Sequence, residues 1–319
     1  MLDLTILKNL FGIIFNTDMF SILIPSYNNL SYLKLCIESI KKNSTYDHQI
    51  IVHINEGSDG SLEYIKNLNC EFTYSKQNIG MPSALNKASR LANNDYIVIS
   101  HDDFYYCPNW DIEFKKEIDL YNHNDFYLSG NTILDIESND KLQSKSLDAG
   151  KTIELFDENK LLNNLHRVKT LNWQGTTKCP GLIHKDVWNK VQGWSEEFFP
   201  TGGDDTDFAL KLWNSNVRIF KGLGNCFIYH FGSITTRKKG SNLNTYLGSK
   251  ANKIFIKKWG MSTNFFEKYY LQSGLDSNKN LIFREYNGPL SNPNKNINYF
   301  LELLVIKLNF IYLKIINTK

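Results

Sequence analysis

Four short apolar runs, each closed by a polar loop, constrain this chain more than any other feature. They are Phe20–Ile24, Gln49–Ile54, Glu71–Tyr74 and Tyr96–Ile99. Their length and their β-branched and aromatic content read as strands, too short for helices. Between them the pattern changes period. Leu30 to Lys42 keeps Leu33, Ile37 and Ile40 on one helical face, and Pro82 to Leu91 carries Ala84, Leu85 and Ala88. Strand and helix in alternation predict an α/β fold, a mostly parallel central sheet flanked by helices.

In such a sheet the loops after the strands share one rim, and ligands bind there. Here those loops are Pro25-Ser-Tyr-Asn-Asn29, Asn55-Glu-Gly-Ser-Asp-Gly-Ser61, Asn78-Ile-Gly80 and Ser100-His-Asp-Asp103. The last is the most telling. Two adjacent carboxylates at the end of a buried strand are costly unless a cation shares the site. Mg²⁺ or Mn²⁺ with phosphate oxygens is the simplest occupant. The plainer alternative is a solvated turn with a helix cap, and an Asp-Asp pair alone does not decide between them. No GxGxxG follows the first strand, which argues against a classical dinucleotide site.

A second acidic cluster lies downstream. Gly193-Trp-Ser-Glu-Glu-Phe-Phe-Pro-Thr-Gly-Gly leads into Asp204 and Asp205, just before an expected helix, Thr206 to Asn214. Capping by the helix dipole explains such acids without any chemistry. The two glycines, however, let the backbone approach a ligand closely. Val217–Phe220 and Cys226–Tyr229 read as two strands, with His230 at the end of the second. A histidine there is by default a core residue. Arg237-Lys-Lys-Gly240 is either a basic loop that closes over a diphosphate or an ordinary solvated one.

Composition adds limits. Hydrophobic residues make up 42% and charged residues 22% of 319, the mark of a globular chain. The net charge of +3 is too near balance to argue for nucleic acid. Five cysteines form no CxxC pair and fit free thiols in a reducing compartment. No leader peptide and no bilayer-spanning run is expected. Leu2 to Phe15 reads as an amphipathic helix, for docking on the main domain or on a membrane surface. Ile297 to Ile316 is strongly apolar, but Glu302, Lys307, Asn309 and Lys314 interrupt it near two opposite faces. Packing onto the domain or a partner copy is the first expectation, attachment to the inner membrane face the second. The expected division is residues 1–18, a terminal helix, 19–240, the main domain, and 241–319, a helical extension.

Taken in order, these motifs resemble a family 2 glycosyltransferase with the GT-A (nucleotide-diphospho-sugar transferase) fold, over roughly residues 20 to 240. Ser100-His-Asp-Asp103 is similar to its DxD metal motif, Gly193 to Asp207 to its acceptor and base segment, in the form seen in galactosyltransferases, and Tyr229-His-Phe-Gly-Ser233 to its late metal-binding histidine. Departures from the pattern are His101, where the first Asp of DxD is usual, Asn55 and Glu56 in place of aspartates, and Asp204 in place of glutamate.

The resemblance implies a metal-dependent, inverting transfer from a nucleoside-diphosphate sugar, UDP-sugar favoured, to a saccharide or lipid-linked saccharide. It makes Asp103 and His230 ligands of Mn²⁺ or Mg²⁺, with Asp102 beside them on the donor. Asp205 becomes the base, and Trp194, Gly203 and Asp204 bind the acceptor. Pro25, Tyr27, Asn28, Asn55, Glu56, Asn78, Gly80 and Asn86 line the donor site. The expected setting is cytoplasmic, in surface polysaccharide synthesis, with peripheral contact to the inner membrane face or a homo-oligomer through the terminal helices as the alternatives. Two competitors stand beside it: a sugar nucleotidyltransferase, and a catalytically inactive nucleotide-sugar-binding module, which His101 keeps in play.

Overall fold

The computed structural model describes residues 19–68, 70–135, 144–232, 241–275 and 284–316. The expected helix at Leu2 to Phe15 and the basic loop at Arg237 lie outside them. Strands β1 (Phe20–Tyr27), β2 (Gln49–Asn55), β3 (Glu71–Ser75) and β4 (Tyr96–Ile99) pair in parallel in the order β3-β2-β1-β4. Helices α1 (Leu30–Asn43), α2 (Ser61–Asn67) and α3 (Gly80–Ser89) make the crossovers. Ile22, Leu23, Ile51, Val52, Ile97 and Val98 are completely buried. Runs without alternation are what strands covered on both faces require.

Pro25 does not stop the first strand. β1 continues through it, pairing Pro25 with His53 and Tyr27 with Asn55. β4 leaves the pairing at Leu23, so beyond that point β1 is open on one side. A residue without an N–H is tolerated at such an edge.

Past β4 the sheet changes character. Its full order is β3-β2-β1-β4-β9-β6-β10-β5. Strand β9 (Gly181–His184) runs antiparallel between β4 and β6 (Phe126–Leu134). The two strands expected around residues 217–229 are one, β10 (Ile219–His230), whose register against β6 shifts between Leu223 and Phe227. A bulge keeps a long strand in the sheet while turning its end. Three-residue β5 (Phe104–Tyr106) pairs antiparallel with the end of β10, setting His230 opposite Phe104. Short strands β7 (Ser144–Ser146) and β8 (Trp173–Gln174) pair with β6 and β10. Helices α4 (Trp110–Ile118), α5 (Glu158–Asn163), α6 (Lys185–Lys190) and α7 (Asp204–Asn214) complete the body.

The C-terminal elements are α8 (Ser241–Trp259), α9 (Thr263–Phe266), a π-helical turn (Glu267–Leu271) and α10 (Ile297–Ile316). Phe255, Phe266 and Leu271 join the main hydrophobic core. Asp207, fully buried on α7, holds this region in place. It accepts from Trp259 Nε1 at 2.7 Å and pairs with Lys258 Nζ at 2.9 Å. That is an anchoring role, more than support for the start of α7.

The polar residues of α10 mark seams between two apolar faces. At ~100° per residue, Tyr299, Glu302, Leu303, Ile306 and Phe310 share one face. That face docks: Tyr299 meets Tyr270 Oη at 2.9 Å, and Glu302 pairs with Lys268 at 2.6 Å. The opposite face, Ile297, Phe300, Leu301, Leu304, Val305, Leu308 and Ile311, is more than half exposed throughout. Among the described residues no helix is long and apolar enough to cross a membrane.

Candidate functional site

The β5–β10 pairing builds the first half of the site. It brings Asp103, at the end of the β4 loop, to the end of β10, and Phe231 N–H donates to Asp103 O at 3.2 Å. His230 Nε2 then stands 3.4 Å from Asp103 Oδ1, and His101 Nδ1 stands 4.0 Å from the same oxygen. Phe104 positions both rings, with His101 stacked on it at 4.7 Å and His230 edge-on at 4.8 Å. One potential ligand atom from each of His101, Asp103 and His230 lies within 4.8 Å of the others.

These residues fit a divalent cation. His101 Nε2 is buried without a hydrogen-bond partner, an arrangement normally costly. Burial also holds the His101 imidazole below its ordinary pKa, so the ring is neutral and its lone pair is available. Two imidazoles and one carboxylate are softer than the all-oxygen sets that suit Mg²⁺, and favour Mn²⁺ or a later transition metal. His101 therefore groups with Asp103 and His230. The sequence signal was present, since His101 occupies the first position of the DxD-like motif.

Asp102 faces the end of β1, where it accepts from Ser26 Oγ at 2.7 Å. Burial, then the neighbouring Asp103 carboxylate, pushes Asp102 up to about 7. Tyr27 and Glu56 are hydrogen-bonded across the loops after β1 and β2. Asn28 Oδ1 accepts from Ser58 N–H at 3.0 Å. Asn28 and Glu56 have φ of +46° and +67°, in the left-handed region. Such strain persists where surrounding contacts enforce it, often at ligand sites.

Four other residues of the expected donor set serve the architecture of the site. Asn55, buried, accepts from Ile79 N–H at 2.9 Å, and Asn78 accepts from Gly80 N–H at 2.8 Å. Gly80 has φ +80°, and a β-carbon there would lie 2.8 Å from Phe199 Cδ2 and 2.9 Å from Pro200 O. Met81 N–H donates to that carbonyl at 2.8 Å. Asn86 donates to Trp194 O at 2.8 Å and accepts from Trp194 N–H at 2.9 Å. Gly80 and Asn86 thus join the loops after the first strands to the segment before α7.

The second half is the start of α7. Gly203 takes the N-cap position with φ +72°. Asp204 accepts from Gly202 N–H at 2.9 Å and Thr201 Oγ1 at 3.0 Å, and Asp205 accepts from Thr206 N–H at 2.7 Å. Burial, then the Asp205 charge, pushes Asp204 up to about 7. Burial raises Asp205 as well, while Thr206 N–H and the Lys178 ammonium oppose the rise. Lys178 and Glu267, which also faces Asp205, carry no motif that sequence reasoning could have used.

One cavity of about 480 Å³ connects the halves, lined among others by His101, His230, Lys178, Trp194, Asp204 and Asp205. Trp194 is 2% exposed, and its indole N–H is buried without a partner. Phe198 is core, whereas Phe199 is 45% exposed. A larger cavity, about 650 Å³, opens at the opposite ends of the strands beside Lys41, His48 and Cys70, away from both carboxylate pairs.

The model of the family described as glycosyl transferase family 2 matches residues 21–183. Chondroitin synthase of Escherichia coli is 23% identical over 277 residues, covering 76% of this chain and 39% of that protein. The putative glycosyltransferase EpsH of Bacillus subtilis is 29% identical over 99 residues, 30% of this chain and 28% of that one. The chain thus spans less than half the length of these curated relatives. Among solved structures, S. aureus TarS 1-349 in complex with UDP aligns over 78% of this chain and 74% of its own, with 16% identity and a TM-score of 0.49.

Proposed function

This chain belongs to glycosyl transferase family 2, and from that premise we propose a metal-dependent, inverting transfer of a sugar from a nucleoside diphosphate, UDP first. The acceptor is a saccharide or lipid-linked saccharide in surface polysaccharide or glycoconjugate synthesis. The observation that carries the reading is the shared cavity: His101 and His230, beside Asp103, line the same space as Asp205.

His101, Asp103 and His230 would hold the cation, which when bound supplies Lewis-acid neutralisation of the departing diphosphate. The loops at Pro25–Asn28 and Asn55–Glu56 surround the nucleotide, and Asp102 contacts the donor sugar. Asp204 and Trp194 orient the acceptor, the unpartnered indole N–H offering one hydrogen bond. Asp205 takes the acceptor proton as the oxygen attacks, a role worth typically ~10²–10⁴-fold in rate. Attack from the face opposite the leaving group inverts the anomeric carbon. The order of loops and carboxylates supports this reading over a nucleotidyltransferase. His101 in the cation cluster removes the main reason for an inactive binding module.

The test is transfer from UDP-, GDP- and dTDP-sugars to a saccharide panel, with Mn²⁺ and with EDTA, reading the product anomer by NMR. The reading expects cation-dependent turnover and an inverted product. Turnover unaffected by EDTA, or tight nucleotide binding without turnover on any acceptor, would overturn it.

For location, the outward face of α10 is a docking surface for an anionic lipid headgroup layer. Seven half-exposed apolar side chains exceed what scattered surface residues provide. Lys307 sits on the seam beside them and Lys295 just before the helix, both exposed, whereas Glu302 is turned to the docked face and tied to Lys268. Apolar area flanked by cations suits an acidic leaflet on the cytoplasmic side. Co-flotation with phosphatidylglycerol vesicles, lost in Leu304→Ser/Leu308→Ser, is expected. Flotation with neither neutral nor anionic vesicles, or a dimer that the double variant dissolves, would replace lipid by a second copy.

A further inference from the structure

Asp205 has a second acid at its back. Glu267 opens the π-helical turn, beyond the segment that the family model matches. Its Oε1 accepts the Thr206 hydroxyl at 2.9 Å. The same hydroxyl oxygen lies 3.4 Å from Asp205 Oδ1. One hydrogen cannot serve both carboxylates, and the shorter contact commits it to Glu267. Asp205 and Glu267 therefore face each other across a single oxygen atom.

The backbone makes this placement firm. Ser273 N–H donates to Glu267 O at 2.9 Å, and Ser273 Oγ donates to Gly175 O at 3.0 Å, in the segment leading to Lys178. A β-carbon on Gly274, at φ +81°, would lie 2.9 Å from Glu267 Cβ. Single π-helical turns inside α-helical segments recur at functional sites because they re-aim one side chain. Here the turn re-aims an acid at the start of α7.

We infer that Glu267 is a positioning residue for Asp205: it draws the Thr206 hydroxyl away from the base and sets the pH range over which Asp205 accepts a proton. The inference rests on Asp205 being the base of the proposed transfer. In that step the acceptor O–H bond breaks and its proton passes to Asp205. The acceptor oxygen bonds the anomeric carbon, and the sugar–phosphate bond breaks, its electron pair leaving with the diphosphate. Glu267 touches neither substrate.

Among the described residues, the charged and titratable groups around Asp205 come from four elements. Asp204 neighbours it on α7, Lys178 and Cys179 come from the loop before β9, Tyr127 from β6 and Glu267 from the π turn. Burial, then the Asp205 charge, pushes Glu267 up to about 7, so this acid ionises near neutrality. Asp205 is thus already ionised when Glu267 acquires its charge, and from that point the second negative charge across one hydroxyl makes Asp205 a stronger base.

The experiment is the pH profile of kcat/KM for acceptor in Glu267→Gln, with donor KM measured alongside. The glutamine keeps an oxygen for Thr206 and removes the charge. Wild type should show a second rise in rate as Glu267 ionises near pH 7; the variant should lack it, with a several-fold lower rate above that pH and an unchanged donor KM. A profile superimposable on wild type, or an equal loss at every pH, would overturn the inference. Should that variant not fold, Glu267→Asp withdraws the charge by one methylene. It should shrink that second rise, and an unaltered rise is again contrary. Asp205→Asn separates the two claims. Retained transfer there would remove the base assignment itself, whereas lost transfer with an unshifted Glu267→Gln profile would remove only the role of Glu267.

Discussion

Two Asp-Asp pairs in this molecule look alike in the sequence and are treated differently by the fold. Asp102–Asp103 ends the β4 loop, and Asp204–Asp205 begins α7. In each pair burial, reinforced by the adjacent carboxylate, pushes the first member up to about 7. Their surroundings then diverge. Around Asp103 stand two imidazoles, His101 and His230. Around Asp205 stand a fixed ammonium, Lys178, a backbone N–H and the hydroxyl of Thr206. Imidazole donors beside a carboxylate suit the proposed divalent cation. At Asp205 burial raises the affinity for a proton while the Lys178 ammonium and the Thr206 N–H only partly oppose it, which suits the proposed proton uptake. The neighbours, more than the aspartates, assign the chemistry.

The sharpest way to break this contrast is to remove one acid from each pair. Asp103→Ala should lower transfer by at least ~10³-fold and abolish Mn²⁺-dependent donor binding. Asp205→Asn should lower transfer ~10²–10⁴-fold and leave donor binding intact. Calorimetric titration of UDP with and without Mn²⁺ distinguishes them, and an identical binding defect in both would dissolve the distinction.

A milder change swaps ligand chemistry at the first pair. His101→Asp replaces an imidazole by a hard oxygen ligand. The ratio of Mn²⁺- to Mg²⁺-supported rates should fall by about tenfold, the size of effect that ligand softness gives. An unchanged ratio would place His101 outside the cation shell.

The second pair depends on the C-terminal region for its frame. Lys258→Ala leaves the buried Asp207 with only the Trp259 indole N–H and should cost about 1–3 kcal/mol, visible as a lower Tm. A variant as stable as wild type would mean that α8 is held by its apolar contacts alone.

The smallest effect is the pH dependence of stability at Asp204. Its folded pKa, about 7, lies above the unfolded value near 4. The stability it contributes is therefore complete below the unfolded value and is lost as pH rises through the folded one. Asp204→Asn should accordingly gain on wild type by about 1–3 kcal/mol between pH 4.5 and pH 8. A Tm difference that does not change with pH would show that Asp204 is charged in the fold.

Sequence legibility followed the same divide. The β3-β2-β1-β4 half was readable because its signals are local, each strand a run of four to eight residues closed by turn chemistry, with a helix of its own period between successive strands. The approach of Asp103 and His230 was reachable only through motif order. What joins them is β5, three residues long, paired with a strand more than a hundred residues later, and no local pattern announces it. Lys178 and Glu267 are single residues whose meaning is their distance from Asp205 in space. The seams of α10 were visible on a helical wheel, but which apolar face docks depends on Tyr270 and Lys268, residues of another element.

The most direct measurement of the central claim is anomalous diffraction from crystals grown with Mn²⁺ and UDP. A single peak between His101, Asp103 and His230, about 2.0–2.3 Å from a ligand atom of each and touching a diphosphate oxygen, is the expected result. A peak coordinated by Asp204 and Asp205, or UDP bound with no manganese beside Asp103, would contradict it.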